Sequence, residues 1–255
     1  FDSEEYLNDT ARAAQHEDWL KWSKLTKHLF LRPNLLLQPI GLPVIYAHKL
    51  AEDLRFMADH GMWGATYGSG NGGNWGTQGL NYYVLAKLLW DPHRDVDPII
   101  EDYCRAAYGP GAEAMKEYYR RAEDLTNRIA AAGKPNKDLD VRIEKRKNKL
   151  TDPYTDAELA MLRACVDKAA AAIGSSDAAD LERVRLVATG LEYTKRTRDL
   201  LAAAAAVRAG KGTREDFNKI KAETDKYYTS LKGSLAVKVS RDIQSCLSLT
   251  PDSGR

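Results

Sequence analysis

The apolar residues between Trp75 and Pro92 recur at the spacing of an α-helix. They fall into two sets on opposite sides of that helix: Leu80, Tyr83, Val84 and Leu88, and Tyr82, Leu85, Ala86 and Leu89. A helix that is apolar on both sides is typical of a buried element, so we expect this one to be covered on both sides. It ends at Asp91, because the residue before a proline is pushed out of the helical conformation. We expect this central helix to connect two parts of the chain that differ in pattern.

The part before the central helix predicts alternating strands and helices. Residues 3–28 have the polar, amphipathic pattern of a helix. Short apolar runs at Leu29–Leu37 and Met62–Tyr67 predict strands, and His48–His60 between them predicts a helix that ends at Gly61. Strand, helix, strand and helix in this order are typical of parallel α/β architecture.

The part after Pro92 has helical patterns throughout. The predicted helices are Val96–Tyr108, Ala112–Ala132, Thr155–Ile173, Ser176–Gly210 and Thr213–Leu231. Thr155 with Glu158 forms the capping-box pattern of a helix start, and Ser176 is expected to cap the long helix. Residues 134–150 interleave basic and acidic residues and predict a charged linker. We therefore divide the chain into residues 1–92, with the α/β pattern, and residues 93–255, a helical domain.

Four blocks of the sequence carry a resemblance to a known family. They are LRPNLLL (Leu31–Leu37), HKLAEDLRFMADHGMWG (His48–Gly64), WGTQGLNYYVLAKLLWDP (Trp75–Pro92) and DVDPIIEDYCRAAYGPGAEAMKEYYRR (Asp95–Arg121). Together they resemble an uncharacterised glycoside-hydrolase-like family whose relatives include α-glucuronidases, β-hexosaminidases and some endo-β-N-acetylglucosaminidases. The resemblance covers the first half of the chain, and the remainder shares only the helical character.

The resemblance implies a fold and a function. In that family the matching blocks follow most of a (β/α) barrel. The implied fold is thus mainly α, with the last βα units of a barrel in residues 1–92 followed by a helical bundle domain. It also implies a glycan or oligosaccharide partner and an extracytoplasmic or secreted location. A complete barrel needs about 250 residues, so we expect this chain, which begins at Phe1, to be the C-terminal part of such a protein.

Composition removes several other classes of function. Lysine and arginine number 38 against 36 aspartate and glutamate residues, and a net charge of +2 gives no field that would attract nucleic acid or an anionic membrane. No apolar run approaches the roughly 20 residues of a membrane span. Cys104, Cys165 and Cys246 are widely spaced, and we interpret them as buried free thiols.

Two loops that leave the predicted strands contain candidate sugar-binding residues. Arg32 and Asn34 follow the first strand, and the second loop, from Gly64 to Gly79, contains Tyr67, Asn74 and Trp75. Amide and guanidinium groups bind hydroxyls directionally, and aromatic rings offer a flat apolar face, so this combination suits a sugar. Gln78 of the same loop is a further amide candidate. The alternative is that Trp75 packs beneath the loop and the glycines only permit turns.

Catalytic groups are missing from both loops. No aspartate or glutamate occurs between Lys27 and Ala51 or between His60 and Trp90. Glycoside hydrolysis ordinarily uses two carboxylates, or one assisted by the substrate. The catalytic residues are therefore unknown, and any catalytic carboxylates are expected upstream of Phe1. Glu52 and Asp53 are closest, but they lie on the intervening helix, where ordinary pairing or solvation is expected.

Metal and nucleotide sites are not predicted either. The five histidines show no metal-ligand spacing. The formal GxGxxG at Gly68, Gly70 and Gly73 is followed by a helix that we expect only near Thr77, too late for a dinucleotide-binding turn. We predict no cofactor and no metal.

Two hypotheses remain open. The first is the C-terminal part of a glycoside-hydrolase-like protein that acts on or binds glycans. The second is a non-catalytic helical scaffold or carbohydrate-binding module, which the acid-free loops favour. The isolated chain should be inactive on either hypothesis.

Overall fold

The computed structural model describes residues 8–32, 41–66, 73–132, 153–175 and 177–239, together with Thr151, Leu247 and Leu249. Within these residues the chain is mainly helical, as predicted. The helices are α1 (Asp9–Leu25), α2 (Ala47–Asp59), α3 (Trp75–Trp90), α4 (Val96–Tyr108), α5 (Ala112–Ala132), α6 (Asp156–Ile173), α7 (Ala178–Arg208) and α8 (Arg214–Ser230), with a 3-10 turn at Gly109–Gly111. The predicted linker, residues 134–150, lies outside the described residues.

Two short strands form the sheet of the described chain. Strand β1 (Leu29–Leu31) pairs in parallel with β2 (Met62–Ala65), and α2 connects them. Both strands are shorter than predicted. The ring of Phe30 lies over Gly64, while Trp63 projects to solvent and is 75% exposed. Parallel sheets are normally covered on both faces, so the exposure of Phe30 and Trp63 is unusual for such a pair.

Local capping signals determine most helix boundaries. Helices α4 and α5 have the predicted bounds, and α6 ends at Ile173 as predicted. The Thr155 hydroxyl accepts a hydrogen bond from the Glu158 amide at 3.2 Å, which confirms the capping prediction. Ser176, the predicted cap of α7, lies outside the described residues; the helix begins at Ala178, and the Asp177 side chain accepts hydrogen bonds from its first-turn amides. Both residue types are strong caps, and their adjacency made the choice ambiguous.

Helix α1 is attached to α2 through a group of charged residues. Arg12 donates to Asp53 at 2.7 Å and to Glu52 at 2.6 Å, and His16 contacts the same Asp53 oxygen at 2.7 Å. The predicted pairing of these acids is confirmed. Asp53, however, is 1% exposed and not on a solvated face. Burial, opposed by Arg12 and His16, raises the pKa of its carboxyl.

A single buried core extends through both predicted parts of the chain. It includes Leu54 of α2, Leu80 of α3, Met115 of α5 and Leu200 of α7. Cys104 and Cys165 are buried free thiols within it, as predicted, whereas Cys246 lies outside the described residues. No helix of the described chain is long and apolar enough to cross a membrane.

The central helix α3 is only partly buried, which corrects the expectation of burial on both sides. Its N-terminal half is covered almost all round, including Gln78, Gly79, Leu80 and Asn81. Trp90, in its last turn, is 92% exposed. The spacing of aromatic and apolar residues predicted the helix itself. The same spacing cannot show whether an aromatic side chain such as Trp90 is buried or exposed to solvent.

Helices α3 and α7 approach each other at backbone distance. A Cβ added to Gly76 would lie 2.1 Å from the Leu186 carbonyl oxygen. A Cβ added to Gly190 would lie 2.9 Å from the Gly76 carbonyl oxygen. Only glycine fits at both positions, because close-packed backbones cannot move apart without disturbing the core on either side.

The first testable prediction concerns this contact. Gly76→Ala should lower the free energy of unfolding by about 3 kcal/mol or more, since the added methyl group overpacks a backbone contact. Urea denaturation followed by circular dichroism measures the change. Gly210→Ala is the control: Gly210 has φ 66 and open space around it, so this variant should lose only about 1 kcal/mol from the left-handed conformation. Equal losses in the two variants would contradict the packing argument.

His48 connects α2 to α4 and α5, two helices of the part of the chain that follows Pro92. Its Nδ1 lies 2.7 Å from the Glu123 carboxylate of α5, and its Nε2 lies 3.3 Å from Asp97 of α4. The hydrogen bond to Glu123, assisted by the charges of both acids, raises the pKa of His48 to about 9. The imidazolium is therefore favoured in the folded protein at neutral pH.

The second prediction is a pH dependence of stability. The folded pKa of about 9 exceeds the ordinary value of 6.5, so the stabilisation is complete below pH 6.5 and is lost as the pH rises to 9. Because the His48 side chain is half exposed and screened by water, we expect a loss of only about 1 kcal/mol. Urea denaturation at pH 6, 7.5 and 9 measures it. His48→Gln should remove this loss, so that the free energy of unfolding falls less between pH 6 and pH 9. An unchanged pH dependence in the variant would show that other groups cause it.

Candidate functional site

The start of α3 is joined to a segment near the end of the described chain. The backbone amides of Trp75 and Gly76 donate to the carbonyl oxygens of Leu235 and Ala236, both at 2.9 Å. The first amides of a helix have no partner inside the helix, so this segment caps α3 from outside. The helix begins at Trp75, two residues before the predicted position.

Asn74 is the residue that fixes this junction. It has φ 81, in the left-handed region, and is 5% exposed. Its side-chain oxygen accepts a hydrogen bond from the Lys238 amide at 2.7 Å. The predicted sugar-binding side chain is thus buried in a structural contact between distant parts of the chain.

Trp75, the next residue, has the opposite environment. Its indole is 44% exposed and meets the Tyr82 ring edge-on, with centroids 5.2 Å apart. The Tyr82 hydroxyl donates to the Gly73 carbonyl oxygen at 3.3 Å. Burial raises the pKa of Tyr82 to about 12, so the hydroxyl stays protonated as a donor at neutral pH. These contacts hold one edge of the indole and leave part of it open to solvent.

The amide groups that follow Trp75 on α3 stabilise the chain and do not face solvent. Gln78 donates to the Leu42 carbonyl oxygen and Asn81 to that of Val44, each at 2.8 Å. The Asn81 oxygen accepts from the Tyr46 amide at 3.2 Å. Gln78, a candidate for sugar binding by sequence, is fully buried.

The remaining predicted residues lie elsewhere or outside the described chain. Arg32 is exposed and follows β1 directly, at the sheet edge where the Thr66 amide donates to the Leu31 carbonyl oxygen. Asn34 and Tyr67 lie outside the described residues. Of the predicted residues, the structure brings Asn74 and Trp75 together, with one buried and the other half exposed.

A groove beside Gly73 contains residues that sequence reasoning missed. Its volume is about 760 Å³. It is lined by Gly73, by Asp225, Tyr228 and Thr229 of α8, and by the segment that follows, including Lys232, Ser234, Leu235 and Lys238. The Gly233-Ser234 pair, just after the predicted helix end at Leu231, is a local signal for this turn.

The groove contains one carboxylate among its described lining residues, Asp225, and this carboxylate is already in an ion pair. Asp225 pairs with Lys221 one turn earlier on α8. The Thr229 hydroxyl donates to the Asp225 carbonyl oxygen at 2.8 Å. In the described residues no group of three or more histidine, cysteine or acidic residues is placed to hold a metal ion. The described residues of the groove therefore offer polar and apolar contacts to a ligand, and Asp225 is the one carboxylate among them, whereas a glycosidase ordinarily uses two.

Comparison with known proteins gives one match. A family model described as a domain of unknown function (DUF4838) matches residues 1–120. This part of the chain, which contains α1 to α4 and both strands, is therefore similar to that domain. No curated protein and no solved structure matches the chain.

The third prediction tests the structural role of Asn74. Asn74→Ala should lower the free energy of unfolding by about 2 to 3 kcal/mol, because it loses the bond to the Lys238 amide and strains the left-handed backbone. Asn74→Gly keeps the conformation and loses only the bond, so it should cost about 1 to 2 kcal/mol. Thermal and urea denaturation separate the two variants. Full stability in both would show that the contact with Lys238 is dispensable.

Proposed function

We propose that this chain is the C-terminal part of a glycoside-hydrolase-like protein that acts on or binds glycans. The observation that carries the proposal is Trp75, an indole held by Tyr82 and half open to solvent at the start of the helix after β2. Aromatic faces bind the apolar faces of sugar rings, and Trp75 lies beside a groove with hydroxyl, ammonium and carboxylate groups. The resemblance of the four sequence blocks adds to this support.

The fold of residues 1–92 is proposed to be the end of a (β/α) barrel. The parallel pair β1 and β2, each followed by a helix, supports it. Further parallel strands would cover Phe30 and Trp63, which are exposed on the present sheet. In such a barrel Arg32 and Asn34 would lie at the carboxyl ends of the strands, where ligands bind.

The proposed sugar contacts are Trp75, Tyr67, Arg32 and Asn34. Asn74 is left out, because its side chain is buried and holds the Lys238 amide. Trp75 and Tyr67 would stack on sugar rings, and Arg32 and Asn34 would orient hydroxyls. The catalytic acid and base of an active parent protein would come from residues upstream of Phe1.

The alternative is a carbohydrate-binding or scaffold protein without catalysis. The observations that favour it are the acid-free loops and the engagement of the nearest carboxylates: Glu52 and Asp53 with Arg12, and Asp225 with Lys221. Binding of glycans without turnover by the full-length protein would support this alternative. Turnover would support the first proposal.

The fourth prediction concerns Trp75. Trp75→Ala in the full-length protein should weaken glycan binding by about tenfold, the loss expected for one aromatic stacking contact. Glycan-array binding and the release of sugars from aryl glycosides and polysaccharides measure the two activities. Trp22→Ala, an exposed tryptophan on α1, is the matched control and should change neither. Unchanged binding and turnover in Trp75→Ala would remove this site.

A further inference from the structure

Gly79 lies about one turn after Trp75 on α3, and two side chains approach it. A Cβ added to Gly79 would lie 3.7 Å from Cε3 of the Trp75 ring and 2.6 Å from the hydroxyl oxygen of Tyr103 on α4. Gly79 is buried, so the space around it is enclosed. The Trp75 ring and the Tyr103 hydroxyl therefore occupy neighbouring parts of one space, which exists because position 79 has no side chain.

Tyr103 is itself fixed by a group of tyrosine rings. The centre of its ring lies 5.2 Å from that of Tyr83, 5.9 Å from that of Tyr108 and 5.8 Å from that of Tyr119. The hydroxyl oxygens of Tyr103 and Tyr108 are 3.4 Å apart, and those of Tyr108 and Tyr119 are 2.6 Å apart. Close-packed rings have few alternative positions, so the Tyr103 hydroxyl is held firmly against Gly79.

Tyr82 holds the Trp75 indole from a second direction. The two rings meet edge-on with centroids 5.2 Å apart, and the Tyr82 hydroxyl donates to the Gly73 carbonyl oxygen at 3.3 Å. A tryptophan ring that no neighbour holds turns about two side-chain torsions and loses that freedom when a ligand stacks on it. A ring that is already held in one orientation binds without this cost. Contacts that fix Trp75 therefore strengthen any stacking on its exposed part.

We propose that Tyr103 is a positioning residue of the glycan site: its hydroxyl, in the space left by Gly79, fixes the Trp75 indole in the orientation that binds a sugar ring. The inference rests on the proposed glycan function and extends the site to α4, which the loop-based site does not include. Tyr103 acts through Trp75 and not by contact with the sugar. Affinity then depends on the orientation of the indole as well as on its presence.

The fifth prediction exchanges the Tyr103 hydroxyl for a methyl group at Gly79. Tyr103→Phe in the full-length protein leaves a space beside the indole, so glycan binding should weaken about threefold to tenfold, the cost of ordering one side chain on binding. Adding Gly79→Ala to this variant places a methyl group in that space, 3.7 Å from the Trp75 ring and 3.7 Å from Cζ of the Tyr103 ring. These are ordinary van der Waals distances, so the double variant should regain the affinity of the parent protein. Gly79→Ala alone should lower the midpoint of urea denaturation, because its methyl group overlaps the hydroxyl.

Two measurements check this prediction. Retention in gels that contain hydroxyethyl cellulose, xylan or glycol chitin gives the affinity. Fluorine NMR of protein labelled with fluorotryptophan reports on the ring itself, and Trp75→Phe assigns the Trp75 resonance. This resonance should move toward that of free fluorotryptophan in Tyr103→Phe and return in the double variant. Tyr83→Phe is the matched control: it removes a hydroxyl that donates to Asp102 and does not face Gly79, so it should change neither measurement.

The outcomes separate this inference from the proposed function. If Tyr103→Phe weakens retention, the double variant does not recover it and the Trp75 resonance stays in place, the hydroxyl contacts the sugar itself and the positioning role is refuted. If Tyr103→Phe changes neither measurement while Trp75→Ala loses retention, the inference is overturned and the proposed function stands. If the parent protein binds none of the polymers and no glycan of an array, the proposed function fails and this inference fails with it.

Discussion

The contact between α3 and α7 at Gly76 and Gly190 fixes the position of the central helix, against which both parts of the described chain pack. It places a helix backbone against a helix backbone, with no room for a side chain at either position. With α3 fixed there, its first amides meet the carbonyls of Leu235 and Ala236, and its buried amide side chains meet the segment before α2. The α/β part and the helical part are thus attached to the same helix. Separating α3 from α7 would expose core residues of both parts and break the hydrogen bonds at both ends of this connection.

The contacts of α3 with its neighbours also determine where it is exposed. One arc of the helix contacts α7, another contacts α2 and the segment before it, and a third contacts α4 through Tyr83 and Lys87. The exposed large side chains of the helix therefore lie at its two ends, at Trp75 and Trp90. An exposed indole forgoes the stabilisation of burial, although single exposed tryptophans such as Trp22 are ordinary on protein surfaces. Other large apolar residues of α3, such as Leu80 and Leu88, are fully buried. The positions of the two indoles follow from packing, and the proposed function rests on the exposed part of Trp75.

The sequence predicted what depends on neighbours in the chain and failed where distant residues decide. The bounds of α4 and α5 followed from apolar residues at helical spacing and, at the end of α4, from Gly109 and Pro110, all local signals. The alternation of β1, α2, β2 and α3 followed from apolar periods and from Gly61. The sequence alone could not reveal that Asn74 would be buried, because its partner, the Lys238 amide, is 164 residues away. Gln78 was misinterpreted for the same reason, since a polar side chain in a glycine-rich stretch looks the same whether it meets a ligand or the carbonyl of Leu42.

Recognition of a sugar and cleavage of its bond make different demands on this chain. Recognition by stacking needs aromatic rings and neutral polar groups, and it tolerates carboxylates that are already paired. Cleavage needs carboxylates whose protons can be exchanged with the substrate, and here the candidates are committed: Asp53 is buried between Arg12 and His16, and Asp225 is paired with Lys221. Freeing Asp53 would break the contacts that attach α1 to α2. Freeing Asp225 would break an ion pair that stabilises the last turns of α8. On the proposed function, this part of the protein would select and orient the glycan, and the groups that break bonds would come from a different part of the polypeptide.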